Sequence, residues 1–203
     1  MNDLPMMPQK IPDGVDFCLV THIHLDHFTK DYLPKGIKIV VQNEEDEQTI
    51  RTMGFSDVIA FEGNEFSIGS ITVTKVPAVY GDNAAVAEEM GSVSGFILSG
   101  EDKTLYIAGD TVFYYGIERT LEEYKPDVIV LNCCEATLPF GRLIMNLSDV
   151  ETVCNKAPEA LVIATHLDSV NHSLLNSDNR KKFVQRKGLT QICVPENGEW
   201  IEA

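Results

Sequence analysis

The chain has 203 residues and a net charge of −15, with 44% hydrophobic and 23% charged residues. This length is sufficient for one domain with a substantial core, so we predict a single domain over residues 1–203. No segment reaches the roughly 18 apolar residues of a membrane span, and the first residues lack the pattern of a secretory signal. We therefore predict a cytoplasmic protein without a membrane partner. The negative charge also argues against a nucleic-acid partner, because phosphate binding depends on Lys and Arg.

The predicted elements begin as strands and hairpins and continue as strands that alternate with helices. Strands are predicted from apolar and β-branched runs at Val15–Val20, Ile37–Gln42, Phe66–Ile68, Ile71–Val76, Val93–Leu98, Thr104–Ile107, Val128–Leu131 and Leu161–Ile163. Helices are predicted at Glu44–Met53, Val112–Tyr124, Ser148–Asn155 and Ser173–Lys187, the third from a capping box that begins at Ser148. By itself this order supports only a domain of mixed α and β structure.

The residues most informative about function follow the first predicted strand. They are Thr21-His22-Ile23-His24-Leu25-Asp26-His27, which bring three imidazoles and one carboxylate together. Imidazole nitrogen and carboxylate oxygen bind Zn²⁺, Mn²⁺ or Fe²⁺. In a helix the first two histidines would point to different faces, whereas in an extended segment residues 22, 24 and 26 share one side. A turn at Asp26-His27 would bring the last histidine to the same centre, so we predict a metal site.

The spacing His-x-His-x-Asp-His after a strand resembles the signature of the metallo-β-lactamase superfamily of metal-dependent hydrolases. Ala108-Gly109-Asp110-Thr111 resembles the Gly-Asp-Thr segment of that family, and Ala164-Thr165-His166 resembles the strand end that carries its last histidine ligand. Stretches near Leu131, Ile144–Asn146, Val170–His172 and Pro195–Glu199 resemble one subgroup in particular. It consists of uncharacterised beta-lactamase-like hydrolases related to the ascorbate-6-phosphate lactonases. The resemblance implies an α/β (α+β) fold, the four-layer αββα sandwich.

The resemblance also implies a set of ligands for two metals. His22 and His24 would bind the first metal, Asp26, His27 and His166 the second, and Asp110 would bridge them. We expect one or two divalent ions, since these nitrogen and oxygen donors suit Zn, Mn and Fe about equally. Such ions lower the pKa of bound water to about 7 and polarise the bond under attack. We therefore expect metal-bound hydroxide to cleave a small-molecule ester, lactone or phosphoester, with Asp26 also orienting the hydroxide.

The chain departs from the family pattern at two places. Where the family has Val-Pro-Ala-x-His-Gly, this chain reads Val76-Pro77-Ala78-Val79-Tyr80-Gly81, so a tyrosine replaces a histidine ligand of the first metal. A phenol with a pKa near 10 stays protonated at neutral pH. We therefore expect a weakened or empty first site, with Tyr80 either ligating a metal or packing over the pocket and donating a hydrogen bond there.

The second departure is the absence of the strands that usually open the fold, before Val15. Either the start codon is misplaced or the protein lacks those strands. Their loss would expose a sheet edge to pairing with another chain, which favours a homo-oligomer.

Three further residues are candidates for contact with substrate. His172 is either a residue that acts as general acid for the leaving group or holds a substrate oxyanion, or one that caps or packs at a helix start. Asn171 is either the N-cap of the last helix or a substrate contact, and Arg142 is either a ligand for an anionic substrate or an exposed loop residue.

The five cysteines are odd in number and include no Cys-x-x-Cys, which favours reduced, buried thiols. Cys133-Cys134 ends a strand near the predicted pocket, where we expect packed thiols rather than a thiolate at the metals.

Two other functions remain open. One is a catalytically impaired metal-binding protein with a structural, sensing or assembly role, which Tyr80 motivates. The other is a di-iron oxidoreductase, which is less favoured because superfamily members of that kind usually carry glutamate at the position of His24.

Overall fold

Two β-sheets hold the histidine-rich loop in the computed structural model, which describes residues 14–167, 174–196 and 198–202. One is a parallel three-stranded sheet in the order β1-β2-β3, and the other has seven strands in the order β12-β11-β8-β7-β6-β5-β4. The strands are β1 (Phe17–Val20), β2 (Lys38–Val41), β3 (Val58–Ala60), β4 (Glu65–Ile68), β5 (Ile71–Pro77), β6 (Ser94–Ser99), β7 (Leu105–Ile107), β8 (Val128–Asn132), β9 (Thr137–Leu138), β10 (Gly141–Arg142), β11 (Leu161–Thr165) and β12 (Ile192–Cys193). The helices are α1 (Glu44–Thr52), α2 (Ala84–Met90), α3 (Tyr115–Tyr124), α4 (Leu147–Lys156) and α5 (Ser177–Lys187).

The core is layered because successive side chains of a strand point to opposite faces of its sheet. In β2, Ile39 and Val41 are fully buried on the face that also packs Ile50 of α1. Val40 between them is buried on the other face, in one cluster with Phe96 of the seven-stranded sheet. The far face of that larger sheet packs α3 and α4 around a third cluster. The layers therefore run helix, sheet, sheet, helix, and the predicted αββα sandwich is confirmed.

Both predicted hairpins are confirmed, since β4 pairs antiparallel with β5 and β6 pairs antiparallel with β7. The later strands β7, β8, β11 and β12 pair in parallel. The segments that form α2, β3, β9, β10 and β12 were not predicted. Most of them are short, so their apolar periodicity is too brief to indicate an element.

Three predicted helix starts are wrong. Helix α3 begins at Tyr115 rather than Val112, because the backbone N–H of Val112 donates to Val79 O and keeps this segment outside the helix. Helix α4 begins after Asn146, which forms the capping box with Asp149. Helix α5 begins at Ser177, with Asn176 as its N-cap.

The predicted N-cap role of Asn171 is therefore wrong, because the N-cap of α5 is Asn176, five residues later. Asn171 and His172 themselves lie outside the described residues, as do residues 1–13, which precede the first described residue. The single domain, the missing opening strands and the homo-oligomer stay predictions. Within the described ranges, no helix is long and apolar enough to cross a membrane.

Candidate metal centre

The histidine-rich loop follows β1 and is fixed to the larger sheet. The backbone N–H of Ser94 donates to Thr21 O at 3.2 Å. Gly109 lies beside this contact with φ +69°, and a Cβ on it would be 2.9 Å from Ser94 O. Glycine at this position thus allows the segment that carries Asp110 to approach the loop. A turn in which His27 N–H donates to His24 O at 2.9 Å brings the end of the loop back toward its start, as predicted.

Donor atoms from three separate parts of the chain lie near His27 Nε2. The distance from His27 Nε2 is 3.1 Å to His166 Nε2, 3.3 Å to Asp110 Oδ2 and 3.6 Å to Asp26 Oδ2. His166 Nε2 lies 3.2 Å from Asp26 Oδ2. Donors at about 2.0–2.2 Å from one tetrahedral metal would lie about 3.3–3.6 Å apart. The three distances among Asp26, His27 and His166 therefore fit one divalent ion held by the three ligands predicted for the second metal, while the predicted bridging Asp110 contacts His27 from a neighbouring donor group.

His22 lies on the other side of Asp110. Its Nε2 is buried, has no hydrogen-bond partner among the residues that the structure describes and is 3.8 Å from Asp110 Oδ2, while its Nδ1 lies 3.0 Å from Thr21 Oγ1. A buried ring nitrogen without a partner is costly unless something binds it. The Thr21 hydroxyl can accept from Nδ1–H, and in that tautomer the Nε2 lone pair is free for a metal.

Tyr80 separates His24 from the other donors. The Tyr80 hydroxyl donates to Asp110 Oδ2, and His24 Nδ1 lies 3.4 Å from Tyr80 Oη. Tyr80 is 4% exposed. His22, His27 and Asp110 form one compact group of donors and Asp26, His27 and His166 another, while His24 belongs to neither. Of the two roles considered for Tyr80, packing over the pocket with a donated hydrogen bond is the arrangement in the structure.

The electrostatics of the metal-free site couple the carboxylates to the imidazoles. Burial would raise the pKa of Asp26, but its hydrogen bond with His166 and the nearby His27 lower it to about 2. Burial would lower the pKa of His166, but its contacts with Asp26 and Cys134 raise it to about 11. A metal bound here would therefore displace a proton from His166.

Of the three other buried groups of the site, His22 and Tyr80 are uncharged at neutral pH and Asp110 is ionised. Burial lowers the pKa of His22 to about 3, so this imidazole is neutral at neutral pH. Burial and the adjacent Asp110 carboxylate raise the pKa of Tyr80 far above its usual value, so the phenol keeps its proton. Burial would also raise the pKa of Asp110, but its hydrogen bond with His27 and the surrounding imidazoles hold it well below the usual range.

Two side chains of the site were missed by sequence reasoning. Asn132 Nδ2 donates to Asp110 Oδ1 at 2.7 Å, and Thr165 Oγ1 donates to Asn132 Oδ1 at 2.8 Å. Both residues end strands that neighbour each other in the larger sheet. Their position at strand ends was visible in the sequence, but nothing there indicated which residue they would contact.

Arg142 lies apart from the donor atoms described above. Its Nη1 donates to Asp149 Oδ2 at 2.5 Å and to Ile144 O at 2.7 Å. The same residue lines a cavity of about 360 Å³, whose walls include Val79 and Gly81, the neighbours of Tyr80 in the chain. Contact of Arg142 with substrate stays a prediction, as do the roles of His172 and any substrate contact of Asn171.

Comparison with known proteins agrees with this fold and donor set. Residues 2–167 match the family model described as "Beta-lactamase superfamily domain". The chain therefore belongs to the beta-lactamase superfamily. It is 39% identical over 202 residues to the UPF0173 protein YddR of Bacillus subtilis. This alignment covers 97% of this chain and 79% of the relative.

Two solved structures resemble the chain over most of its length. A possible metal-dependent hydrolase from Veillonella parvula has a TM-score of 0.86 and 32% identity, covering 91% of this chain and 75% of that one. An isothiocyanate hydrolase from Delia radicum gut bacteria has a TM-score of 0.89 and 29% identity, and the match covers 98% of this chain and 84% of that one. The relation to ascorbate-6-phosphate lactonases stays a prediction.

Proposed function

We propose that this protein is a metal-dependent hydrolase that works with one divalent ion. The observation that carries the proposal is the convergence of Asp26, His27 and His166 at distances that fit one metal. A divalent ion bound there lowers the pKa of a water ligand to about 7 and polarises the bond under attack. Zn²⁺, Mn²⁺ and Fe²⁺ all suit these donors.

The side chains have distinct roles in this proposal. Asp26 is ionised at neutral pH, and its Oδ2 is shared with His166, so this carboxylate is placed to accept a proton from the attacking water. Tyr80 keeps its proton and holds Asp110 Oδ2 through its hydroxyl. The orientation of Asp110 is therefore fixed before any ligand binds.

Tyr80 is also the reason for proposing one metal instead of two. Each oxygen of a carboxylate has two lone pairs. Asp110 Oδ1 accepts from Asn132, and on Oδ2 the Tyr80 hydroxyl takes one lone pair, which leaves the other facing His27. The phenol hydrogen thus takes a position on Asp110 that a first metal would need. His22 and His24 retain imidazoles that suit a metal, but they lack the third histidine of the family pattern.

We propose an uncharged small molecule with an electrophilic carbon as the substrate. Esters and lactones have such a carbon, and so does the isothiocyanate group named for the relative at 29% identity. A net charge of −15 and two ionised carboxylates at the site disfavour an anionic phosphoester. A nucleic-acid partner is disfavoured for the same reason.

Metal content tests the proposal directly. The protein is purified without a histidine tag or chelator, and metal per chain is measured by elemental analysis for the unmodified protein and for Tyr80→His. We expect one ion in the former and two in the latter, because the histidine restores the missing ligand. Two ions in the unmodified protein would refute the one-metal site, and none would refute metal dependence.

Turnover separates the hydrolase from the alternative of a catalytically impaired metal-binding protein. Protein loaded with Zn²⁺, Mn²⁺ or Fe²⁺ is assayed with an aryl ester, a small lactone, an alkyl isothiocyanate and an aryl phosphate. We expect turnover of at least one of the first three and its loss in Asp26→Asn. Metal binding without turnover of any substrate would favour the impaired protein, for which the Tyr80 contact with Asp110 is the supporting observation.

A further inference from the structure

The end of strand β8 lies between two metal ligands without supplying one. In the larger sheet β8 pairs in parallel with β7 on one side and with β11 on the other. Asp110 follows β7 and His166 follows β11 directly. Because parallel strands end at the same edge of a sheet, the residues that end β8 lie between these two ligands.

The first contact joins Asn132 to Asp110. Asn132 is the last residue of β8, and its Nδ2 donates to Asp110 Oδ1 at 2.7 Å. Its own Oδ1 accepts from Thr165 Oγ1 at 2.8 Å. Because an ionised carboxylate only accepts, the contact with Asp110 determines that the amide turns its Nδ2 toward that residue. With Oδ1 of Asp110 held in this way, Oδ2 faces His27 Nε2 at 3.3 Å.

The second contact joins Cys134 to His166. Cys134 Sγ lies 3.5 Å from His166 Nδ1, and Cys134 is fully buried. The opposite nitrogen, Nε2, is the one that faces Asp26. With the thiol sulfur as acceptor for Nδ1–H, the lone pair of Nε2 is left for the metal. His166 has φ +63°, which is uncommon outside glycine, so its backbone also depends on the surrounding contacts.

The backbone that carries these two side chains is anchored. The N–H of Cys133 donates to Thr165 O at 3.2 Å, and the N–H of Leu175 donates to Cys134 O at 3.0 Å. Arg180, which is fully buried, donates from Nη2 to Cys133 O. Because the backbone of this segment is fixed, its side chains can hold the metal ligands that they contact in one orientation.

We infer that the end of β8 is a positioning element, in which Asn132 orients Asp110 and Cys134 orients His166. Neither residue is expected to touch metal or substrate. The inference rests on the metal binding in the proposed function. Groups that orient metal ligands typically affect metal affinity by about 10–100-fold when they are removed.

The adjacent cysteine provides a matched control. Cys133 is also fully buried, but its Sγ has only a long contact, 3.9 Å to Thr165 O, and it packs in a different cluster from Cys134. Zn²⁺ affinity is measured by competition with a chromogenic chelator for the unmodified protein, Asn132→Leu, Cys134→Ala and Cys133→Ala. Circular dichroism of each metal-free protein checks its folding, and Asn132→Ala replaces Asn132→Leu if that variant does not fold.

We expect the dissociation constant to rise about 10–100-fold in Asn132→Leu and about 10-fold in Cys134→Ala. We expect Cys133→Ala to bind like the unmodified protein, and Cys134→Ser to recover part of the lost affinity because its hydroxyl also accepts a hydrogen bond. Unchanged affinity in the Asn132 and Cys134 variants would overturn the inference. An equal loss in Cys133→Ala would also overturn it, since the effect would then be one of packing.

A second measurement keeps this inference separate from the proposed function. In ¹⁵N-histidine-labelled, metal-free protein, Cys134→Ala should shift the Nδ1 resonance of His166, whereas Cys133→Ala should not. If the unmodified protein binds no Zn²⁺, the proposed function fails, but this shift would still support the role of Cys134. Without such a shift, the positioning role of Cys134 is wrong whatever the metal affinity.

Discussion

The phenol of Tyr80 makes a stabilising contact whose size can be worked out from the structure. Its hydroxyl donates to the buried Asp110 carboxylate, and a hydrogen bond to a charged group contributes about 1.5–3 kcal/mol. Tyr80→Phe removes this bond and leaves the aromatic ring in place, so the change in apolar burial is small. Asp110 keeps its bond from Asn132, which limits the loss. In a protein of this size 1 kcal/mol corresponds to about 2–4 °C, so the Tm of the metal-free protein should fall by roughly 3–12 °C.

Tyr106 supplies the control for this experiment. It is fully buried like Tyr80, but its hydroxyl has no hydrogen-bond partner in the described part of the chain. Tyr106→Phe should therefore be neutral or stabilising. It removes a hydroxyl that loses its hydrogen bonds to water on folding and has no replacement for them in the described residues. Both variants are unfolded thermally at pH 7 with EDTA and followed by circular dichroism. An unchanged Tm in Tyr80→Phe, or an equal fall in Tyr106→Phe, would refute this account of the Tyr80 contact.

Three further predictions concern the site and its support. The pKa of His166 is raised to about 11 in the folded protein, so the stability that protonated His166 contributes is complete below about pH 6.5 and is lost as pH rises toward 11. Urea unfolding with EDTA should show a larger fall in stability from pH 7 to pH 10 in the unmodified protein than in His166→Ala, and equal falls would contradict the pairing with Asp26. Gly109→Ala should weaken Zn²⁺ binding in the chelator assay, because the added Cβ would lie 2.9 Å from Ser94 O at a residue with positive φ. Unchanged affinity would show that the backbone can move away from the added Cβ without disturbing the metal ligands. Asn146→Ala should lower the free energy of unfolding by about 1 kcal/mol through loss of the α4 capping box, without changing metal affinity.

Much of the fold could be predicted because its signals are local. The two predicted strands within Phe66–Val76 lie on either side of Gly69-Ser70, and the turn in the structure joins β4 and β5 there. Helix starts were harder to predict, since an N-cap depends on a single side chain and one backbone N–H. At α4 the capping box was predicted to begin at Ser148, but it is formed by Asn146 with Asp149.

The donor residues could be identified from the sequence, because histidines and aspartates that follow apolar strands form a pattern within a few positions. The same pattern indicates that Tyr80 stands where the family has a histidine. How these residues are grouped follows from the packing of distant strands. His27 and His166 are 139 residues apart, yet their Nε2 atoms lie 3.1 Å from each other. His24, two residues after His22, instead lies beside Tyr80. The grouping depends on which strand ends meet at one sheet edge, and long-range pairing of strands decides this where local sequence cannot.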